Sequence, residues 1–316
     1  MRMTTLCLLL AVAAPLLACI EPEHDVAQGG DHDPSRSTAG VGVDFPPAAS
    51  DQYDAHGVMM LLPTDPERFS WWLSDDPNHE DHFRIDDGDD GAIAQDDGSF
   101  LFHPRVGNLA SGGQQLTLRL HVSGTRSTES FSDHDELRER GYMTGDPMHE
   151  LGDQEMTGYW RLSDIVDRGD TISKKIRGGR HSDDHDGMYS ACVGLLLSYD
   201  GKSNKLWEKE LFHPSTPKSS VDKLFDYGDA IAKGQWIGDK ITSVRQPDGS
   251  VLNTQYIDLD PFDAEGKPDN NWVKVFEYVD DDDAVSWSGK TSTWRIDEVR
   301  DVYAKYLSVR SVKAGP

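Results

Sequence analysis

The chain has 316 residues, with 31 Lys and Arg against 56 Asp and Glu, a formal charge of −25. Such an acidic surface argues against nucleic acid as a partner, because phosphates require clustered Lys and Arg, and it repels polyanions at long range. Eight Trp, ten Tyr and ten Phe supply the apolar area that an acidic disordered chain lacks, so a folded core is expected.

The first segment is Met1-Arg2-Met3, an apolar run from Leu6 to Leu17, then Ala18-Cys19. One positive charge, about a dozen apolar residues and a small residue at the cleavage point describe an export signal; a membrane span needs roughly 20 apolar residues. Leu16-Leu17-Ala18-Cys19 resembles the lipobox of bacterial lipoproteins. That resemblance implies cleavage after Ala18, a diacylglyceryl thioether on Cys19 and anchorage in a lipid bilayer. With Ile20 rather than Asp after the Cys, it further implies the outer membrane of a Gram-negative bacterium. Residues 19–52 are rich in Glu, Asp, Gly, Pro and Ser and read as a flexible acidic tether. Cys7 leaves with the signal and Cys19 carries lipid, so Cys192 has no disulfide partner and reads as an inert buried thiol.

Residues 53–316 read as one all-β domain. Leu116, Leu118, Leu120 and Val122 alternate with Thr117, Arg119 and His121, the period of a half-buried strand. Further strands are expected at Glu155–Leu162, Thr171–His181, Ala191–Tyr199 and Lys205–His213. Others follow at Trp236–Arg245, Val251–Leu259, Trp272–Val279, Thr291–Ile296 and Val302–Val312. Pro247-Asp248-Gly249-Ser250 is a hairpin turn, and Asp200 to Asn204 reads as another. Helical spacing is confined to Val221–Lys233, where Leu224, Phe225, Tyr227 and Ile231 recur at three and four, so one short helix is expected there. Many strands with short turns indicate a sandwich or barrel.

The order Trp236-Ile-Gly-Asp-Lys, Asp258-Leu-Asp260, Asn270-Asn-Trp-Val-Lys-Val and Leu307-Ser-Val-Arg resembles the concanavalin A-like lectin/glucanase jelly roll. More narrowly, Gly57-Val-Met-Met-Leu-Leu-Pro-Thr, Gly141-Tyr-Met, Glu155-Met-Thr-Gly-Tyr, Arg177-Gly-Gly-Arg-His and Lys209-Glu-Leu-Phe-His213 resemble an uncharacterised group of secreted archaeal and bacterial proteins with that fold. The resemblance implies a concanavalin A-like β-sandwich and carbohydrate as the substrate class.

Two strands carry the candidate chemistry. Alternation places Arg177, Gly179 and His181 on one face of the first, and Trp207, Lys209, Leu211 and His213 on one face of the second. If both faces line the concave side, Arg177, Arg180, Lys209 and Trp207 would bind sugar. A polyuronide lyase would use a cation to neutralise the carboxylate and His181, His213 or Tyr189 for proton transfer. A retaining glycosidase needs carboxyl groups about 5 Å apart. Glu208 and Glu210 share a face, but the Glu-x-Asp-x-x-Glu pattern of the glucanases is absent. For metals, His79 to His82 and His181 to His185 lack the His-Glu-x-x-His zinc helix. A structural calcium would find oxygen donors in Asp86–Gly91 and Asp280–Asp283; no cofactor is required otherwise. The leading expectation is a sugar-binding envelope lipoprotein. A polysaccharide lyase on the same face comes second, and a structural envelope protein without a sugar site third.

Overall fold

The computed structural model describes residues 52–80, 82–107, 113–121, 139–145, 151–178, 192–203, 207–210, 219–221, 225–281 and 291–313. Contacts divide the chain at residue 39, and every described residue belongs to the second unit, 40–316. Strands in chain order are β1 (Ser70–Trp72), β2 (Phe83–Asp86), β3 (Gly88–Ala94), β4 (Phe100–Val106), β5 (Gln114–His121) and β6 (Met143–Thr144). Next come β7 (Gln154–Ile165), β8 (Thr171–Gly178), β9 (Cys192–Ser198), β10 (Lys202–Ser203), β11 (Trp207–Glu210) and β12 (Ser219–Val221). The last are β13 (Phe225–Asp226), β14 (Ile237–Arg245), β15 (Val251–Asp258), β16 (Val273–Asp280), β17 (Thr291–Asp297) and β18 (Val299–Ser311).

Two antiparallel sheets form a jelly-roll sandwich. The smaller runs β12-β11-β9-β8-β17-β5, with β2 also on β5. The larger runs β4-β18-β7-β14-β15-β16, with β3 on β4, β1 on β18 and β6 on β1. β4 pairs with β18 through Phe100–Phe102 and with β5 through Arg105 and Val106, so one strand joins both sheets. Among the described residues, no helix is long and apolar enough to cross a membrane.

Alternation decides what each sheet turns inward. On β7, Met156, Trp160 and Leu162 face the core, while Glu155, Tyr159 and Arg161 have the opposite parity. Trp294 from β17 meets Trp71 and Trp160 of the facing sheet, with ring centroids 6.4 Å apart in both cases. Leu116, Leu118 and Leu120 are all buried, as their spacing predicts. Cys192 is buried and not in a disulfide among the described residues.

Bulges in β18 and β8 reset this alternation. In β18, Lys305 pairs with Tyr159 and Ser308 with Thr157, so Tyr306 and Leu307 together oppose Gly158. Tyr306 has φ +49, the left-handed region that relieves the extra residue. In β8, Gly178 pairs with Thr291 and Lys175 with Thr293, leaving Ile176 and Arg177 opposite Ser292; Arg177 has φ +52.

The helix expected over Val221–Lys233 does not form. Ser219–Val221 and Phe225–Asp226 are strands, and only a single turn follows, with Lys233 N donating to Asp229 O at 2.9 Å. The cause is local: Gly228 adopts φ +77 and its carbonyl abuts Gly201, where a Cβ would lie 1.6 Å from Gly228 O.

Candidate carbohydrate-binding face

The sequence-predicted residues divide into those inside the sandwich and those outside the described residues. Trp207 and Lys209 share a face of β11, as their parity predicts, but it is the inner face. The Trp207 ring lies tilted against Tyr278, centroids 4.3 Å apart, and Lys209 donates to Asp280 at 2.6 Å. The β8 bulge also turns Arg177 inward. Its Nε donates to Ser243 Oγ at 2.5 Å and one terminal nitrogen to Asp153 at 2.7 Å. β9 lies between β8 and β11, so the two strands share a sheet without pairing. The groove-lining arrangement expected for Arg177, Trp207 and Lys209 is corrected: each is at most 1% exposed. Burying a cation is unfavourable unless a carboxylate answers it, and the facing sheet supplies one each time. Arg180, His181, Tyr189 and His213 lie outside the described residues, as does His185.

Lys174 completes this inner seam with a fully buried ion pair to Asp239, which also accepts from Gln255 Nε2 at 3.2 Å. Burial pushes the Lys174 ammonium below its ordinary range against the pull of Asp239. On the other side of β11, Glu208 faces Lys175 at 3.7 Å, so it is engaged in an ion pair.

The calcium expectation meets carboxylates that hold the sheet together. Asp86 pairs with Arg119, Asp87 accepts from Gln115 and Thr117, and Asp89 pairs with Arg105. Among the described residues no group of three or more His, Cys, Asp or Glu could hold a metal ion.

The outer face of the larger sheet has two halves. One is covered. Glu155 accepts from Lys240 at 2.9 Å and pairs with Arg310 at 2.8 Å, while the backbone of Leu61 and Leu62 donates to it from above. Burial alone would raise the Glu155 carboxyl, but Arg310 and Lys240 hold it below its ordinary range. Val58, Tyr159 and Trp272 form a second small core here.

The other half carries a row of rings and cations, of which Trp236, Phe262 and Tyr306 pack against that small core. His56 lies between Tyr142 (6.4 Å) and Tyr306 (5.6 Å); Tyr306 neighbours Phe262 (6.2 Å), which neighbours Trp236 (5.6 Å). Arg161 then sits 5.3 Å from the Trp236 ring and 4.1 Å from Tyr303. Lys305 lies over Trp236 and Phe262, within 3.6 Å of Asp97. His56, Tyr142, Arg161, Trp236, Phe262, Tyr303 and Tyr306 are all half-buried. Beside Tyr303, Asp301 contacts His103 Nδ1 at 3.0 Å and accepts from Ser163 at 3.1 Å. Arg161 Nε–H is buried and has no acceptor among the described residues. One end of the row opens into a pocket of about 290 Å³, lined by His56, Tyr142, Tyr306, Phe100, Gln95 and Ser99.

Half-buried rings present flat apolar surface, while Arg161 and the Asp301 cluster present directional donors and acceptors. Pockets for polar organic ligands combine these two features. Strand parity could have found part of this set, since Arg161 alternates with Trp160 and Leu162, and Tyr303 and Lys305 alternate with Val302 and Ala304. His56 and Phe262 come from loops far away in sequence and carried no such signal.

No protein-family profile matches the chain, and neither does any curated protein sequence. Solved structures that resemble it include an endo-β-1,4-glucuronan lyase from the fungus Trichoderma reesei, with 11% identity, TM-score 0.38 and coverage of 78% of this chain and 96% of that one. The Ca²⁺/Man3GlcNAc-bound exoplasmic/lumenal domain of VIP36 shares 9% identity over 78% and 91% of the two chains, with TM-score 0.41. Lectin I-B4 from Griffonia simplicifolia shares 12% identity over 76% and 98%, with TM-score 0.36. Likeness at this level does not bear on what the chain does.

Proposed function

We propose that the protein is an outer-membrane lipoprotein, held by acylated Cys19 and an acidic tether, that binds an oligo- or polysaccharide along the open outer face of its larger sheet. The observation that carries the reading is the row of half-buried rings from Tyr142 to Tyr303, interleaved with Arg161 and Lys305. Its length suits several sugar rings in succession. Flat C–H faces would stack on the aromatics, and hydroxyls would meet Arg161, Asp301 and His103.

Lyase chemistry would rest on His181, His213 and Tyr189, which lie outside the described residues. The test is a glycan array with the soluble domain, followed by titration calorimetry on each hit. Trp236→Ala is expected to weaken binding about tenfold or more, about 1.4 kcal/mol. Binding unchanged in both Trp236→Ala and Tyr303→Ala would remove the outer face as the site. Formation of an unsaturated uronate from a polyuronide would move the reading to a lyase. For the anchor, Cys19→Ser is expected to release the protein from the membrane fraction.

A further inference from the structure

The pocket of about 290 Å³ at the Tyr142 end of the aromatic row offers something the row does not. Leu73, Ala94 and Phe100 give it an apolar lining, to which the rings of Tyr142 and Tyr306 add. No Lys or Arg lines it among the described residues, and its one carboxylate, Asp75, pairs with Arg140. An acidic sugar would lose hydration there and gain no counter-charge.

The polar groups of the lining divide by whether the fold already uses them. Ser74 Oγ donates to Glu80 and Ser99 Oγ to Asp97, so both hydroxyl protons are spent. Gln95 Nε2 donates to the carbonyls of Ile93 and Ala94, at 3.0 and 3.3 Å, which fixes the amide's orientation and leaves Oε1 as an acceptor. The Tyr142 and Tyr306 hydroxyls and the His56 imidazole make no hydrogen bond among the described residues. Burial chiefly, with the charge of Asp54 next, raises the Tyr306 phenol above its ordinary range, so it stays a donor. The walls are fixed: Gln95 N donates to Ser99 O at 2.8 Å and Gly98 N to Gln95 O at 3.0 Å, closing the turn between β3 and β4. Tyr306 contributes its ring from the left-handed backbone of the β18 bulge, and strain of that kind clusters at ligand-binding positions.

We infer that this pocket is the specificity subsite of the outer face and takes the acetamido group of an uncharged N-acetylated sugar. The assignment rests on the carbohydrate reading of that face and names the sugar class. An acetamido group carries a methyl, a carbonyl acceptor and one N–H donor. The methyl would lie against Leu73, Ala94 and Phe100. The carbonyl would accept from a tyrosine hydroxyl or the imidazole, and the N–H would donate to Gln95 Oε1. A hydroxyl in the same place would leave the apolar lining unfilled.

Titration calorimetry of the soluble domain tests this with matched pairs that exchange acetamido for hydroxyl. The pairs are the β-1,4-linked tetramers of N-acetylglucosamine and glucose, and the methyl glycosides of N-acetylgalactosamine and galactose. In at least one pair the acetylated member is expected to bind saturably and about tenfold more tightly than its counterpart. Gln95→Leu and Ala94→Phe, the second of which fills the pocket, should each remove most of that preference. The Gln95 amide bonds only to its own strand and Ala94 is exposed, so both variants should keep their fold, which thermal unfolding verifies. Trp236→Ala should weaken both members of the responding pair and preserve their ratio. Equal affinities within both pairs, or a preference undiminished in both pocket variants, overturns the subsite. Failure of both acetylated members to bind overturns it too. In each case glycan-array hits that depend on Trp236 would still support the outer face, so the two readings fail separately.

Discussion

The two faces of the larger sheet use basic side chains in different ways. On the inner side, Lys174, Arg177 and Lys209 reach across from the smaller sheet, and each ends on a carboxylate, Asp239, Asp153 and Asp280. On the outer half, Arg161 is half-buried over the rings of Trp236 and Tyr303, while Lys305 is buried against Trp236 and Phe262 and faces Asp97. A sealed pair has its hydrogen-bonding capacity consumed by the fold. A half-buried cation over half-buried rings, as Arg161 is, keeps part of its surface in reach of solvent. Residue type alone does not separate the two; the partner and the exposure do.

The largest effect should come from breaking a sealed pair. Asp239→Ala leaves the Lys174 ammonium buried without its carboxylate and should reduce unfolding stability by about 3–5 kcal/mol in denaturant titration. Lys174→Met/Asp239→Leu should recover most of that loss, since a well-packed apolar pair is often as stable. A loss near zero in the single variant would erase the contrast. Arg161→Ala should show the reverse pattern: stability within about 1 kcal/mol of the parent, but glycan affinity lowered about tenfold.

The smallest effect concerns pH. Burial pushes the Asp258 carboxyl up from its ordinary 3.8 to about 6, even though Asp260 N and Asn271 N donate to it. Between those values the folded chain holds a proton that the unfolded chain has released. Stability from this group is therefore greatest at low pH, falls as pH rises from about 4 to about 6, and is level beyond. In Asp258→Asn that slope should vanish from a series of denaturant titrations across the same window. An unchanged slope would assign the pH dependence to other groups.

Much of the sandwich was legible because apolar residues alternate in β5 and in Met156, Trp160 and Leu162 of β7, marking one buried face. Parity also paired Trp207 with Lys209 and set Glu208 opposite. Which side faced water was not legible from that strand, because a lysine there reads as solvent-facing unless its acid is known. A clue existed in β8, where Lys174 shares parity with buried Ile172 and Ile176. The inward turn of Arg177 depends on a bulge whose backbone angle no residue type announces. The helical spacing over Val221–Lys233 was real but overruled by Gly228, and the loop residues His56 and Phe262 reach the open face only through tertiary folding.

The extra residue in β18 acts as a phase change within one strand. Before Tyr306 the even-numbered positions Val302 and Ala304 point inward; after it the odd-numbered Leu307 and Val309 do, and Arg310 reaches Glu155 on the outside. Were Tyr306 to take an ordinary extended position instead of bulging, everything downstream would invert, driving a guanidinium into the tryptophan-lined interior and valine onto the surface; deleting Tyr306 would set Leu307 alone opposite Gly158 and keep the same residues inward. One left-handed residue thus lets a single strand serve an oily core along its whole length and still deliver Lys305 and Arg310 to the same side.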